Sequence, residues 1–447
     1  MEPKHRHTPS AEAIAEEEQT SGAGPAARLA GRLFRPLRRL KRLPFWAYLV
    51  VLGPGVVSAA AGNDAGGIAT YAQSGATYGY GMLWAMVLVT ICLVLVQEMC
   101  ARMGAVTGKG LSDLIREQFG ASWAMLAVLV LLVANAGVTI SEFVGIAAAA
   151  DLFGIPGWLA VPPIALLVWW LVTSGSYRTV EKVFMLMSLV FFTYIIAAFL
   201  AKPDWGQVGT AIIQPKIDLA PVALQALVAL IGTTITPYMQ LFVQSTVVEK
   251  GVTLSDYKYT RFDTVFGVII ANIVSAFIII ATAATLFVHG STNVNSAADA
   301  AKALEPVAGE GATILFGLGL FGASMLAAGV LPLATAFSVT EALGFEKGVN
   351  LSFREAPVFM GLFTVLLVLG ALVAMIPGLP LFAVLIGVQI LNGALLPILL
   401  IFIVRLASNR DIMGQYAIGP VYRVLAWGAV VLITVAVLLM FGTSLFH

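Results

Sequence analysis

Charge is scarce in this sequence: Asp, Glu, Lys and Arg make up 11 % of its 447 residues, against about 25 % in an ordinary soluble domain. With a hydrophobic share of 59 %, that excludes a soluble globular fold. Cysteine is nearly absent. Cys92 and Cys100 are the two, and eight residues of helix hold them roughly 12 Å apart, beyond the ~7 Å between Cα atoms that a disulfide tolerates. Both read as small buried hydrophobes. The four histidines, His5, His7, His289 and His447, all fall outside the long apolar stretches. Zinc hydrolysis needs His, Cys and carboxylate ligands around an open position. There is no HExxH, no pair of catalytic carboxylates, no phosphate-cradling Gly-Lys loop and no nucleic-acid-binding surface. These absences speak against an enzyme.

What is abundant is apolar sequence in long runs. A spanning helix takes roughly 20 mostly apolar residues, and such windows recur at 46–73, 78–101, 123–151, 158–174, 181–201, 220–248, 262–288, 310–342, 356–376, 379–404 and 424–446. They predict an all-α polytopic membrane protein with about eleven transmembrane helices. Residues 1–27 are polar, small and acidic with no apolar stretch, which predicts a disordered tail and no cleavable signal peptide.

Positive charge sets the expected orientation, because cytoplasmic loops near span ends carry an excess of Lys and Arg. Arg28, Arg32, Arg35, Arg38, Arg39, Lys41 and Arg42 precede the first window, so the N-terminus is expected in the cytoplasm. An odd number of spans then puts the C-terminus outside. The junctions that should be cytoplasmic hold Arg102, Lys109 and Arg116; Arg178 and Lys182; Lys250, Lys258 and Arg261; Lys347 and Arg354; and Arg405, Arg410 and Arg423. The opposite side has Lys202, Lys216 and Lys302. A miscount by one span would scramble this asymmetry. The basic stretch 28–43 reads either as a charge anchor for the first span or as an amphipathic helix on anionic lipid.

Two spans are interrupted by residues that do not belong at bilayer depth. The first carries Asn63, Asp64, Ala65, Gly66 and Gly67 in its middle. An ionised carboxylate there costs at least about 2.5 kcal/mol, so it must face a partner or a wet cavity. The adjacent glycines weaken the helix at the same point. The sixth span has Gly232, Thr233, Thr234, Thr236 and Pro237. Proline has no N–H, so the Thr233 carbonyl loses its helical donor and becomes available to a cation. Unwound backbone in a membrane survives where it lines protein or a water-filled cavity. Interruptions at positions one and six point to inverted five-helix repeats with a site at their interface. The expected division is a tail at 1–43, a first repeat at 44–219, a second at 220–406 and an eleventh helix within 407–447.

At these residues the chain resembles the NRAMP family of divalent-metal transporters. The likeness runs from Gly53 to about Arg405: the GPG at 53–55, Asp64-Ala-Gly-Gly67 in place of Asp-Pro-Gly-Asn, Tyr78-Gly-Tyr80 with Leu83-Trp84, Gln97, Ala101-Arg102-Met-Gly104, Val106-Thr-Gly-Lys109, then Glu142, Gly145 and Phe153-Gly-Ile-Pro156. The resemblance implies a LeuT-like fold of eleven or twelve helices, broken at helices 1 and 6. It also implies a metal held by an aspartate and an asparagine of helix 1, a methionine of helix 6 and a backbone carbonyl from each. Carried over, Asp64 is retained and the first carbonyl is that of Ala61. The asparagine position is Gly67, and the helix-6 Met-Pro-His reads Thr236-Pro237-Tyr238. Loss of a soft thioether leaves carboxylate, carbonyl, hydroxyl and water, the hard set that suits magnesium, and a roomier cavity suits an ion that keeps several waters. The pattern is similar to the NRAMP-related magnesium transporters of prokaryotes.

The expected ion ligands are therefore Asp64, Ala61, Gly67, Thr233, Thr236 and Gln389, with magnesium as the transported ion, manganese as the alternative, and no cofactor. Gln389 and Asn392, one turn apart, fall near a helix-10 glutamine that lines the family's site. Glu142, on a face with Asn135, Thr139 and Ile146, reads either as a transport residue or as a satisfied interhelical hydrogen bond. Glu98, Glu181, Asp263 and Glu341 are expected to pair with Arg102, Lys182, Arg261 or Lys347, and 289–310 is expected to be an external loop. Proton relays use chains of Asp, Glu and His. With Tyr238 at the helix-6 histidine position and Thr139 at the helix-3 aspartate position, uptake is expected to run down the electrochemical gradient without proton coupling. The rivals are a proton-coupled manganese or iron importer and an organic-solute carrier of the same architecture, whose substrate carboxylate Asp64 would repel. The expected setting is a monomer in the lipid bilayer of the cell membrane, with no nucleic-acid partner.

Overall fold

The computed structural model describes residues 64–174, 189–249, 251–254, 257–290, 294–346 and 353–445. Several expectations lie outside them: the tail and its basic stretch, the first part of the window 46–73 including Ala61, the residues Glu181 and Lys182, and Lys347.

Among the described residues there is no strand. The helices are α1 (Ala65–Tyr78), α2 (Leu83–Thr107), α3 (Leu111–Phe119), α4 (Ala121–Asp151), α5 (Gly157–Thr173), α6 (Thr193–Leu200), α7 (Trp205–Ile213), α8 (Pro221–Thr234), α9 (Pro237–Glu249), α10 (Tyr257–Thr282), α11 (Ala312–Leu343), α12 (Pro357–Ala374), α13 (Leu381–Ser408) and α14 (Pro420–Leu445). Eight helical segments among the described residues are long and apolar enough to cross a membrane, or nine with α6 and α7 counted as one bent span. One segment, Ala65–Thr107, holds both α1 and α2, joined through a tight turn at Gly79–Met82. The apolar α5, at 17 residues, supplies the window expected at 158–174. Each of the eleven expected windows thus contains helix, and the chain is an all-α, multi-pass membrane protein.

The interruption at the sixth window is present, and at the first window the described residues begin at the point where helix starts. α1 starts in the middle of its window, with extended backbone at Asp64 (ψ 172°) as its N-cap. α8 starts with Pro221 at its first turn and stops at Thr234, and Ile235 leaves helical geometry (ψ 64°) before α9 resumes at Pro237. The proline explains the stop, because a ring in place of an N–H cannot close the helical bond to Thr233.

Some of the architecture departs from expectation. The segment expected as an external loop at 289–310 carries short helices at Ala297–Ala301 and Glu305–Ala308. Its Ala300, Ala301, Ala303 and Leu304 are buried, and the Val294 amide donates to Gln73 Oε1 of α1 at 2.8 Å. It is a packed cap, built by small residues whose spacing is too short to register as a span. Between α6 and α7 the chain turns by 114° where Pro203 cannot continue the helix and Asp204 caps the next one through Gly206 and Gln207. Cys92 and Cys100 are free and buried, as expected. α4 packs along α11, α12 and α13, and α13 packs along α8, so the two interrupted helices meet between α4 and α13.

A candidate cation site at the broken helices

The Asp64 carboxylate caps α1 by accepting the Gly67 amide at 2.6 Å, because an N-cap oxygen satisfies an amide that the first turn leaves open. The positive end of the helix favours the anion there. A second carboxylate shares this terminus: Glu142 Oε2 accepts the Ala65 amide at 3.5 Å. α4 reaches so close because Gly145, one turn further on, has no β-carbon; one there would run into Ala65 and Ser324. Asp64 and Glu142 are both buried. No described cation pairs with either.

Facing this pair is the end of α8. A β-carbon on Gly67 would stand 3.0 Å from both Asp64 Oδ1 and Thr233 Oγ1, which puts Gly67 between the carboxylate of one broken helix and the hydroxyl of the other. The Tyr71 hydroxyl meets Thr234 Oγ1 at 3.1 Å and ties the two helices together. Thr233 and Thr236 keep buried hydroxyls without a hydrogen-bond partner; the Tyr71 and Tyr238 phenols lie beside them without reaching hydrogen-bond geometry. Buried polar atoms are ordinarily paired, so two open hydroxyls at one helix break, that of Thr233 across Gly67 from the carboxylate, are unusual.

Gln389 of α13 closes the third side. Its side-chain nitrogen fills the space where Gly66 would carry a β-carbon, and its Oε1 accepts from Asn392 Nδ2 at 2.9 Å. The outer atoms of this amide pair, Gln389 Nε2 and Asn392 Oδ1, are buried and unpartnered. Turning both amides over keeps the bond between them and presents an oxygen to the site.

Asp64, Gly67, Thr233, Thr236 and Gln389 therefore lie at or beside the two helix breaks, and all are buried; Ala61 lies outside the described residues. Of the two readings of Glu142, the structure gives it a hydrogen bond that falls on the helix terminus at the site itself. On the same face of α4, Asn135 Nδ2 donates to Thr335 at 2.7 Å and Thr139 to the Asn135 carbonyl at 2.8 Å, while Asn135 Oδ1 is buried and unpartnered. The contact of Glu142 with Ala65 was not legible, although Gly145 at one turn's spacing is the signal that could have revealed it. No group of three or more His, Cys, Asp or Glu able to hold a metal exists among the described residues, so the donors here are two carboxylates and neutral oxygens.

Elsewhere, Glu98 pairs with Arg102 at 2.6 Å as expected. It also accepts from Tyr257, from Tyr422 at 2.8 Å and meets Arg261 at 3.5 Å.

A multi-pass helical protein with a polar, acidic centre at two interrupted helices is built like a secondary transporter. The chain belongs to the Nramp family, natural resistance-associated macrophage protein-like, whose family model matches residues 55–443. It is 26 % identical over 394 residues to the divalent metal cation transporter MntH of Yersinia pestis (strain Pestoides F), covering 85 % of this chain and 90 % of that protein. It is 27 % identical over 418 residues to MntH of Ralstonia nicotianae, covering 88 % and 91 %. In three dimensions it is similar to the Eremococcus coleocola manganese transporter, with a TM-score of 0.68 at 20 % identity, over 89 % of this chain and 88 % of that one. MhsT in complex with L-phenylalanine shares the fold at lower similarity, with a TM-score of 0.55 at 14 % identity over 87 % of this chain and 98 % of that one.

Proposed function

We propose that this protein carries a divalent metal cation across the membrane, bound between the breaks of α1 and α8. The observation that carries the proposal is the pair of buried carboxylates, Asp64 and Glu142, at one helix terminus. Two such charges without a cation are costly in a low-dielectric setting, and a divalent ion neutralises both. Asp64, the Thr233 and Thr236 hydroxyls, the carbonyls of Thr233 and Ala61, and the Gln389 amide turned oxygen-inward are the proposed ligands. Gly67 supplies room for metal-bound water. The names of the MntH relatives support the divalent-metal class, and the manganese substrate of the Eremococcus protein favours manganese import as the first reading.

A second reading, magnesium, is favoured by one feature of this chain: Thr236 and Gly67 replace a thioether and an amide, leaving hard oxygen donors and space for a partly hydrated ion. Uncoupled uptake belongs to that reading. One charge crossing 100 mV is worth about 2.3 kcal/mol, so a divalent cation moving into a negative interior gains roughly twice that.

The proposed division into repeats at 44–219 and 220–406, and a cytoplasmic N-terminus, follow from the paired interruptions and from the positive-charge asymmetry. The test is the purified protein in liposomes, with manganese or magnesium outside and a pH-sensitive dye inside. Uptake of either ion that depends on the protein supports the proposal, and the preferred ion selects between the readings. Acidification that tracks manganese supports the proton-coupled importer, whereas magnesium uptake without acidification supports the other. Failure to move any divalent ion overturns both.

A further inference from the structure

Three arginines gather where α13 hands over to α14. Arg405 lies in the last turn of α13, Arg410 on the short helix Arg410–Met413 that follows, and Arg423 in the first turn of α14. Among the described residues none of the three forms an ion pair. Asp411, the carboxylate on this connector, lines neither of the cavities beside them. Arg405 is held over the Phe119 ring at 5.9 Å, and Arg423 donates to the Ser408 carbonyl at 3.4 Å. Each keeps most of its guanidinium donors unused.

Two cavities flank Arg423. One, of about 550 Å³, is lined by Phe119, Arg405, Ser408, Asn409, Arg423 and Trp427. The other, of about 640 Å³, is bordered by Arg410, Gln415 and Arg423. The surroundings say which environment they open to. Val421, Val424 and Leu425, on the same first turns of α14, are 74 %, 72 % and 54 % exposed, which is the lipid-facing composition of a spanning helix. Trp427 and the Trp123–Phe402–Phe119 ring cluster sit at the same end, where aromatic side chains mark the membrane–water interface.

We propose that this crevice binds the headgroup of an anionic phospholipid, its phosphate held by Arg405 and Arg423 and its acyl chains lying along the apolar face of α14. Planar guanidinium groups hold phosphate oxygens in paired hydrogen bonds. Basic pockets between spanning helices on the cytoplasmic side are suited to acidic headgroups, and this connector is one of those expected on that side from its positive charge. Ser408 and Asn409 offer further polar contacts to a glycerol headgroup. A free phosphate ion shares the chemistry of the arginines but gains nothing from the exposed valines and leucine beside them.

The experiment titrates delipidated protein with phosphatidylglycerol or phosphatidylcholine, counts bound lipid by native mass spectrometry, and compares the wild type with Arg405→Gln/Arg423→Gln. The wild type is expected to retain phosphatidylglycerol in preference to phosphatidylcholine, and the double variant to bind it about tenfold more weakly or worse. Millimolar inorganic phosphate is expected not to displace it. Equal binding by the double variant, equal binding of the two lipids, or displacement by phosphate overturns the proposal. An arm without arginine substitutions reads the same site: brominated phosphatidylglycerol is expected to quench the fluorescence lost in Trp427→Phe more strongly than brominated phosphatidylcholine, and equal quenching overturns the proposal even if the double variant fails to fold.

Discussion

The side chain of Gln389 occupies the volume that a β-carbon on Gly66 would take. The first turn of one broken helix and the middle of α13 are thus fitted to each other at the candidate site. The obstructing atoms are the far end of a flexible side chain, so Gly66→Ala is expected to push Gln389 aside while the protein stays folded. Divalent uptake is expected to fall several-fold, with stability lowered by about 1 kcal/mol, the low end of what an added carbon costs in a packed core, because the neighbour that must move is a side-chain end. Unchanged uptake in a well-folded variant would show that the place of Gln389 does not matter to transport.

Gly232 presents the opposite case. A β-carbon there meets the Gln389 carbonyl and the Gly393 amide, backbone of α13 that cannot swing away. Small residues let membrane helices approach closely, and overfilling such a contact typically costs about 1–3 kcal/mol. Gly232→Ala is therefore expected to lower the melting temperature in detergent clearly more than Gly66→Ala does. Equal melting temperatures for the two variants would mean that α8 and α13 separate easily.

Much of this was legible in the sequence because it rests on composition and on residues that lipid does not tolerate. Asp64 marked the start of α1 and Pro237 the break between α8 and α9, since a carboxylate and a missing N–H have consequences at any position within a span. Glu142 was ambiguous for the reason that a buried carboxylate can face any neighbour; only the packing of Gly145 against Ala65 decides which. The network on Glu98 was half visible. Arg102 is one turn away on the same helix, whereas Tyr257 and Tyr422 come from α10 and α14 and no local pattern announces them. The cap at 297–308 escaped because short alanine-rich helices are too brief to show a hydrophobic period.

Selectivity is expected to depend on positions 67 and 236. A side chain at Gly67 would enter the space between Asp64 and Thr233, and a methionine at 236 would add a soft sulfur donor. Gly67→Asn with Thr236→Met is expected to shift the manganese-to-magnesium uptake ratio toward manganese about tenfold, since soft ligands discriminate in favour of the transition metal. An unchanged ratio in competition uptake would remove both positions from the ion site.

Asp64→Ala is expected to reduce divalent uptake on the order of a hundredfold, in line with truncating one partner of a buried charged contact. The cap it provides to Gly67 contributes only about 1 kcal/mol to the fold. The variant should therefore still purify as a monodisperse protein. Uptake within a few-fold of wild type would dismiss Asp64 as a ligand.

Glu142 allows its charge to be separated from its hydrogen bond. Glu142→Gln keeps an oxygen that accepts the Ala65 amide and so preserves the contact between α4 and the first turn of α1, while removing one of the two negative charges. Glu142→Ala removes both, and an orphaned amide in the buried interior costs about 1–3 kcal/mol. If the second carboxylate serves the ion, both variants lose uptake by tenfold or more, and the glutamine variant does so at near-native stability. If Glu142 serves only as a hydrogen-bond acceptor, glutamine is silent and alanine is destabilised. The two carboxylates share one helix terminus and no described cation offsets them, so the first outcome is expected. Uptake and melting temperature measured side by side on the two variants check it, with the luminal dye recording whether any acidification seen with the wild type disappears in the glutamine variant. A glutamine variant that transports at the wild-type rate would return Glu142 to a purely structural role.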